Sequence, residues 1–549
     1  MRRPDDVTES ASPGLVRGCE VVTTVQMREL DRRTIELGTP GLELMERAGR
    51  GIACEILGPL GDAAARGVVV VAGRGNNGGD GFVVARLVAE HGWPVKVWLV
   101  GDPVRVAGDA RSNLERWVAG GGKVETIAEE APFPAQATED LGCAGVIVDA
   151  LFGTGLNAPV GGAAARAIAA IAGARSTAAS EGRAPVVVAV DLPSGLDGDT
   201  GEPWGTAVAA DVTVTLGATK IGLVLPAARP FVGGLVEVDI GLAVQARSAI
   251  APLARAAGAA DMACALPVRR ASGHKGTHGH VLVVAGSAGK SGAAILAGRA
   301  AIRGGAGLTT IATPAAIRDL VAAALPEAMT EAWPARDPEA WRGLLAGRGA
   351  VVVGPGLGRD DAVAWTAGMI VASAPVPVVV DADGLNAIAA DLESLRRAPG
   401  ARILTPHPGE MARLCGRSTA EVQGRRLEVA REVARRSGAV VVLKGAGTVT
   451  AAPDGRAVVN TTGGPILGTG GTGDVLAGLI GALLAQGVEA FAAACLGVFL
   501  HGAAGDRIAA RLGDSGLLAS ELADEIPLAR RALFMDPGDE RCGSGGPLL

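Results

Sequence analysis

The strongest constraint on this chain is a repeated run of β-branched residues closed by glycine or a carboxylate. GVVVVAG at 67–73 is the first. An apolar run without polar alternation suits a strand buried on both faces, as in a parallel sheet covered by helices. Comparable runs follow at 95–100, 145–149, 186–191, 212–216 and 236–240, separated by helix-like stretches. A second series occupies 281–287, 308–313, 350–356, 376–383, 401–406 and 439–445, and 448–459 reads as a hairpin turning at Asp454–Gly455. The class is therefore α/β, built from βαβ units. At 549 residues the chain exceeds one ordinary core, which predicts two three-layer domains. We place them at 20–245 and 268–535, with an Ala/Arg-rich linker at 246–267 and a disordered tail at 536–549. Residues 24–60 should be helical.

Composition narrows the function classes. The net charge of −6 and the lack of a basic stripe argue against nucleic acid. The seven cysteines are scattered singly without CxxC, which fits a reducing compartment and offers neither a disulfide framework nor a zinc site. The N-terminal segment lacks an apolar secretory core, and 481–500 is interrupted by Gln486 and Glu489, so it reads as a buried helix pair. A cytoplasmic protein without membrane attachment is expected. Glycine, at 82 residues, is roughly twice its usual share. With no collagen period, that excess belongs in tight turns and close backbone approaches.

Two glycine loops carry the chemistry. GTGGTGD at 468–474 runs into the apolar segment VLAGLIGALLAQG. A glycine turn opening a helix aims several N–H groups at one point, and the helix dipole adds to their field. Asp474 stands at the edge of that anion cradle, suited to take a proton from a hydroxyl attacking a phosphoryl group. GRGNNGGDG at 73–81 has neither the dinucleotide spacing GxGxxG nor a Walker lysine. Asn76 and Asn77 can offer carbonyl oxygens to a hard cation or NH₂ groups to a ligand, while Asp80 either caps the helix or meets a ligand. Asp149, Asp191 and Lys220 end further strands and should gather at the same sheet edge, where open α/β sheets bind ligands. Asp191, fixed by the nearby Pro193, is the preferred acid–base group, whereas Asp197 and Asp199 read as turn residues. GTGLNAP at 153–159 resembles a second phosphate-facing turn.

In the second series, GSAGKSG at 286–292 is one residue short of a Walker A loop. Gly356 and Gly358 permit close ligand approach. His407 lies between two prolines, which favours a ligand contact over a purely structural role. Asp383 and Asn386 again occupy a strand end, and Lys444 could meet a nucleotide phosphate.

GNNGGDG, DALFGTG, DLPSGLDGDTG and the downstream ATK together resemble the NAD(P)H-hydrate epimerase domain, a Rossmann-like fold, over about 24–240. The resemblance implies potassium held by Asn77, Asp149 and Ser194. It implies substrate contacts from Asn76, Asn77, Gly78, Gly79 and Asp80, from Gly153, Thr154, Gly155, Leu156, Asn157, Ala158 and Pro159, and from Asp191. The implied reaction interconverts the R and S forms at C6 of hydrated NADH or NADPH. Cleavage of C6–O, with Asp191 shuttling the proton, and ring opening to an aldehyde are both compatible routes.

HKGxxG, GPGLG, DADGLN, TPHPGE, KGAGT and GTGGTGD resemble the ribokinase-like, ADP-dependent NAD(P)H-hydrate dehydratase over about 268–530. By that resemblance Gly307, Gly356, His407 and Asp474 contact the hydrated cofactor. Lys444, Gly445, Ala446, Gly447, Thr448 and Gly473 contact the adenine nucleotide, with Mg²⁺ screening its phosphates. Asp474 would act as base while C6 oxygen attacks the terminal phosphoryl of ADP, releasing AMP and phosphate. The family commonly carries Asn where this chain has Gly464, a departure that bears on one expected side-chain contact and leaves the anion nest whole. The rival reading is a vitamin or sugar kinase with an N-terminal binding or dimerising module. A homo-oligomer is expected.

Overall fold

The computed structural model describes residues 19–179, 184–250, 252–334 and 336–535. Of the segments the sequence reads as disordered, 1–20 and 536–549, residues 1–18 and 536–549 lie outside the described residues, whereas Glu20 opens the strand Glu20–Val22. Two compact units emerge, dividing between Leu253 and Ala254.

In the N-terminal unit, seven parallel strands run in the order Val124–Ile127, Val95–Val100, Val68–Ala72, Val146–Ala150, Val186–Val190, Val212–Leu216, Gly234–Val238. The predicted runs are these strands, shifted by a residue or two. Val124–Ile127 had no such run, because three of its four residues are not buried. Side chains of Val68–Ala72 alternate between two cores. Val68, Val70 and Ala72 pack with Ile52, Phe82 and Leu114, while Val69 and Val71 pack with Leu141, Ala163 and Ile171. The sheet is thus the middle of three layers. The chain first builds outward from Val68–Ala72, then returns to its other side at Val146–Ala150. The direction of winding reverses between those strands, and their carboxyl ends open into a crevice.

In the C-terminal unit the parallel strands run Met329–Ala332, Leu308–Thr313, His280–Val284, Ala350–Val353, Val378–Val380, Arg402–Leu404, Val440–Leu443. Two antiparallel strands follow, Val449–Ala451 and Ala457–Val459, and the turn between them contains Gly455 at φ 97° as the hairpin reading required. One sheet face packs on the helices Ser291–Arg303, Thr472–Ala485, Ala490–Leu512 and Ala519–Met535 through Val283, Val352, Ala297, Leu479, Leu496 and Ile526. The helix pair expected at 481–500 is present, and no helix among the described residues is long and apolar enough to cross a membrane.

The linker expectation is corrected. Ala254–Ala256 is a strand pairing in parallel with Val458–Val459, and Met262 of the following helix Ala259–Cys264 is fully buried in the C-terminal core. The described residues from 254 onward belong to that unit.

Candidate functional site

The crevice of the N-terminal unit is a cavity of about 660 Å³. Asn76, Asn77, Asp80, Gly153, Thr154, Gly155, Leu156, Asn157, Ala158, Pro159 and Asp191 all line it. Gly78 and Gly79 are not among its lining residues, and the structure gives both a packing reason. A Cβ on Gly78 would sit 1.9 Å from the Gly73 carbonyl oxygen, and one on Gly79 2.6 Å from Met45 Sδ.

Asp191 follows the strand Val186–Val190 at φ 66°, a left-handed conformation that aspartate tolerates and that appears at functional turns. Its N–H donates to Val214 O, which holds the turn. Lys220 Nζ donates to Asp191 Oδ1 at 2.5 Å, to Leu216 O at 2.8 Å and to Thr215 Oγ1 at 3.3 Å, so all three ammonium protons are engaged. The other oxygen, Oδ2, faces the glycine turn. A Cβ on Gly153 would lie 3.3 Å from it and 2.9 Å from Asn77 Oδ1. Lys220 is placed by the short parallel pairing of Val21–Val22 with Thr219–Lys220.

Asp80 is not a helix cap. The N-cap of Asn76–Glu90 is Gly75, without a side-chain bond, and Asp80 lies inside the helix, buried. Burial, reinforced by the charges of Asp191 and Asp31 and opposed by Lys220, raises its carboxyl well above the ordinary range. Asp31, which the sequence reading passed over, lines the same cavity, and burial lifts it to about 6. Asp197 accepts from the N–H groups of Asp199 and Thr200, as a turn residue should. Asp199 does more, since its carboxylate takes both the N–H and the Oγ1 of Thr24 and fastens the start of the helix Thr24–Glu36.

Asp149 and Ser194 form a pair inside the protein. Ser194 N donates to Asp149 Oδ2 at 2.7 Å, and Ser194 Oγ accepts from Phe152 N at 2.9 Å. Burial raises Asp149 to about 6 against the opposing Ser194 and Leu151 hydrogen bonds. Asn77 Nδ2 is buried without a partner.

In the C-terminal unit the second constellation forms at the carboxyl ends of the parallel strands. Gly471, at φ 93°, opens the helix Thr472–Ala485, and Asp474 lies in its first turn. Thr472 Oγ1 donates to Leu467 O and Thr469 O, and His501 Nε2 donates to Thr472 O at 2.8 Å, fixing the loop. Burial holds His501 down to about 4, so it is a neutral donor there. A Cβ on Gly473 would lie 3.4 Å from Lys444 Nζ, which puts the ammonium beside the predicted anion cradle. Lys444 Nζ donates to Asp381 Oδ1 at 2.6 Å, and Thr405 Oγ1 donates to the same oxygen at 2.7 Å. Burial alone would lower Lys444, but Asp381, Glu410 and Asp474 outweigh it and raise it. Burial, then the Asp381 charge, raises Asp474 to about 7, with Lys444 opposing and Asp383 adding to the rise.

Ala382, between Asp381 and Asp383, stands at φ 48°. Asp381 thereby serves Lys444, while Asp383 accepts from Gly358 N at 2.9 Å and lies 3.4 Å from both Lys290 Nζ and Arg359 Nε. Lys290 is consequently an ion-pair partner on a loop that Ser287 ties to Gly356 O, consistent with GSAGKSG not being a Walker loop. Gly356 at φ 60° packs on Ala293, and Gly307 packs on the Lys275 carbonyl, which a Cβ would approach to 1.8 Å. His407 Nδ1 accepts from Gly409 N and Glu410 N as the N-cap of Pro408–Cys415, leaving Nε2 with the proton, 3.4 Å from Glu410 Oε1. Gly445–Thr448 rests on Arg426, which donates to the carbonyls of Leu443, Lys444 and Gly447. Nothing in the local pattern near 426 announced that guanidinium.

Fold and sites together define a two-unit α/β protein with one carboxylate-lined cavity and one glycine-opened helix start that carries a buried carboxyl beside a lysine. Residues 281–528 match the family described as NAD(P)H-hydrate dehydratase, and 41–222 match that of the YjeF-related protein N-terminus. The bifunctional NAD(P)H-hydrate repair enzyme of Moorella thermoacetica is 42% identical over 525 residues, covering 93% of this chain and 97% of its own. That of Escherichia coli is 37% identical over 516 residues, covering 93% and 94%. A solved ADP/ATP-dependent NAD(P)H-hydrate dehydratase from Bacillus subtilis, co-crystallised with ATP and Mg²⁺, is 35% identical, covers 50% of this chain and 97% of its own, and has a TM-score of 0.45. The chain belongs to the bifunctional NAD(P)H-hydrate repair enzymes.

Proposed function

We propose that the two units divide the family's two activities. The N-terminal unit interconverts the R and S forms of hydrated NADH and NADPH at C6, and the C-terminal unit dehydrates the S form with ADP. The supporting observation is Asp474 in the first turn of a glycine-opened helix beside Lys444, raised to about 7. A base with that affinity for protons takes one from a hydroxyl near neutral pH and later releases it. As C6 oxygen attacks the terminal phosphoryl, the N–H groups of 471–474 and the Lys444 ammonium hold the developing charge. Phosphate then leaves with the C6–O bond, pushed by the ring nitrogen. The resulting C6=N1⁺ gives up a proton from C5 to the departing phosphate to restore the C5=C6 bond of the dihydropyridine, and AMP and phosphate are released.

In the epimerising unit Asp191, steered by Lys220, handles the proton at C6 oxygen. The residues assigned to potassium suit a monovalent cation. Asp149 is a fully buried carboxylate raised by burial, and among the described residues the groups that oppose that rise are the Ser194 and Leu151 hydrogen bonds, not a cation. Potassium on Asp149, Ser194 and the Asn77 carbonyl would neutralise that charge and fix both loops of the cavity. Mg²⁺ suits the nucleotide more than a protein cage. Among the described residues no cluster of three His, Cys, Asp or Glu side chains could hold a metal, so Mg²⁺ would travel mainly on phosphate and water oxygens. Gly445–Thr448, Gly473, Gly307, Gly356 and His407 remain assigned to nucleotide and substrate as the motifs imply. A homo-oligomer in the cytoplasm is part of the same reading.

The test uses separated epimers of hydrated NADH and absorbance near 340 nm. D474A should abolish ADP-dependent recovery of NADH and leave epimer exchange intact, and D191A should do the reverse. Equal loss of both activities in either variant would refute the division of labour.

A further inference from the structure

Asp31 is held in the N-terminal cavity by a helix that is anchored at several points. Thr23 and Gln26 form a capping box at its start, Asp199 grips Thr24, and Arg28 Nη1 donates to Thr154 O at 2.8 Å, tying the helix to the glycine turn 153–159. Met27, Arg28, Asp31 and Ile35 all line the cavity, as one face of a helix at i, i+1, i+4 and i+8 requires. Asp31 Oδ1 is closed off from solvent and has no hydrogen-bond partner. Lys220 cannot supply one, because its three donors go to Asp191, Thr215 and Leu216. A buried carboxyl oxygen left unpaired costs stability, and an apolar residue would serve packing better. Asp31, Asp80 and Asp191 thus face one cavity, with Asp109 also lining it; its lysine ammonium, Lys220, is fully committed, and of the two guanidiniums in the lining, Arg28 and Arg74, Arg28 donates to Thr154 O. Two carboxyls with different environments in one site are the usual arrangement for a proton donor and a proton acceptor.

We propose that Asp31 is the second catalytic acid–base residue of this cavity, giving a proton to the C6 hydroxyl as it leaves while Asp191 takes one from the water that replaces it. This rests on the epimerase reading of the cavity. The step balances without any redox partner. The C6–O bond breaks as the Asp31 proton converts hydroxyl to water, and the N1 lone pair forms C6=N1⁺. A water oxygen then bonds C6 from the opposite face, N1 regains its pair, and Asp191 receives the proton. Reversal returns both groups to their starting states.

The experiment uses the full chain. In D31N the rate of epimer exchange at saturating substrate should fall on the order of 10²–10⁴-fold, with KM within a few-fold of wild type and ADP-dependent dehydration of the S form unchanged. D31E, which keeps an acid, should recover part of the lost rate where D31N recovers none. In ¹⁸O-water each inversion by wild type should bring one solvent oxygen to C6. Exchange by D31N within about threefold of wild type, a change in KM alone, equal rates in D31N and D31E, or inversion without ¹⁸O uptake would each overturn the assignment. If wild type itself exchanged no epimers, the epimerase reading would fall, and this assignment with it. That result is separate from a failure confined to D31N.

Discussion

Replacing Asp474 by Asn should trade activity for stability, with a pH dependence that identifies the cause. Asp474 is raised from 3.8 to about 7, first by burial and then by the Asp381 charge. A carboxyl that holds its proton more tightly folded than unfolded contributes its full stability below the unfolded value, and loses it as pH rises through the folded one. The penalty for the ionised form is therefore complete above about pH 7. Three units at 1.36 kcal/mol each put it at about 4 kcal/mol as an upper bound. Asparagine removes the charge but leaves a buried amide worth about 2 kcal/mol of desolvation. The net gain at pH 8 is about 2 kcal/mol, or ~4–8 °C in the melting of the C-terminal unit. Near pH 5 wild type keeps most of its proton, and the gain should vanish. Dehydration by D474N should fall on the order of 10²–10⁴-fold, and wild-type dehydration should rise with pH on an acid limb near 7. Calorimetry at pH 5 and 8, paired with the absorbance assay, reads both effects. A variant less stable than wild type at pH 8, or a gain independent of pH, would refute the claim that this carboxylate sits desolvated over the cradle.

Three further outcomes follow from packing and pairing. K444M strands the buried Asp381 carboxylate, so it should lower stability by about 3–5 kcal/mol in urea titration, while the double variant D381N/K444M restores most of it without restoring nucleotide binding. G78A forces a Cβ to 1.9 Å from the Gly73 carbonyl and should abolish epimer exchange by unfolding the first glycine loop, leaving dehydration intact; wild-type urea stability in this variant would contradict the packing role. R426M removes the guanidinium beneath Gly445–Thr448 and should raise KM for ADP about tenfold or more, with a smaller change at saturating nucleotide, because a loop displaced by an ångström loses orientation before chemistry.

Sequence made the sheets and both loops legible for a physical reason. Central parallel strands such as Val68–Ala72 and Ala350–Val353 are buried on both faces, so their whole composition is apolar, and glycine and aspartate mark their carboxyl ends. Asp191 stood out because it sits at such an end, and Asp474 because a glycine turn opens the helix whose first turn holds it. Edge and three-residue strands carry no comparable signal. Ala254–Ala256 exists because Val458–Val459, two hundred residues away, offers it a partner, and Glu20–Val22 because Thr219–Lys220 does. Within the motifs, spacing could not separate two kinds of glycine. Gly473 lies open beside the Lys444 ammonium, whereas Gly78 and Gly307 are held by neighbouring carbonyls, and all three look alike as letters. Asp31 was missed for the converse reason. An acid three residues after Arg28 and next to Arg32 reads as part of a solvated helix face, and only the fold closes a cavity over it. The Lys220 ammonium has the same history. Its sequence position put it at the sheet edge, but its task is set by Thr215, Leu216 and Asp191 surrounding it together. The carboxylates proposed to meet substrate were readable from a strand end or a glycine loop, whereas residues that arrange charge around them became visible only once distant segments met.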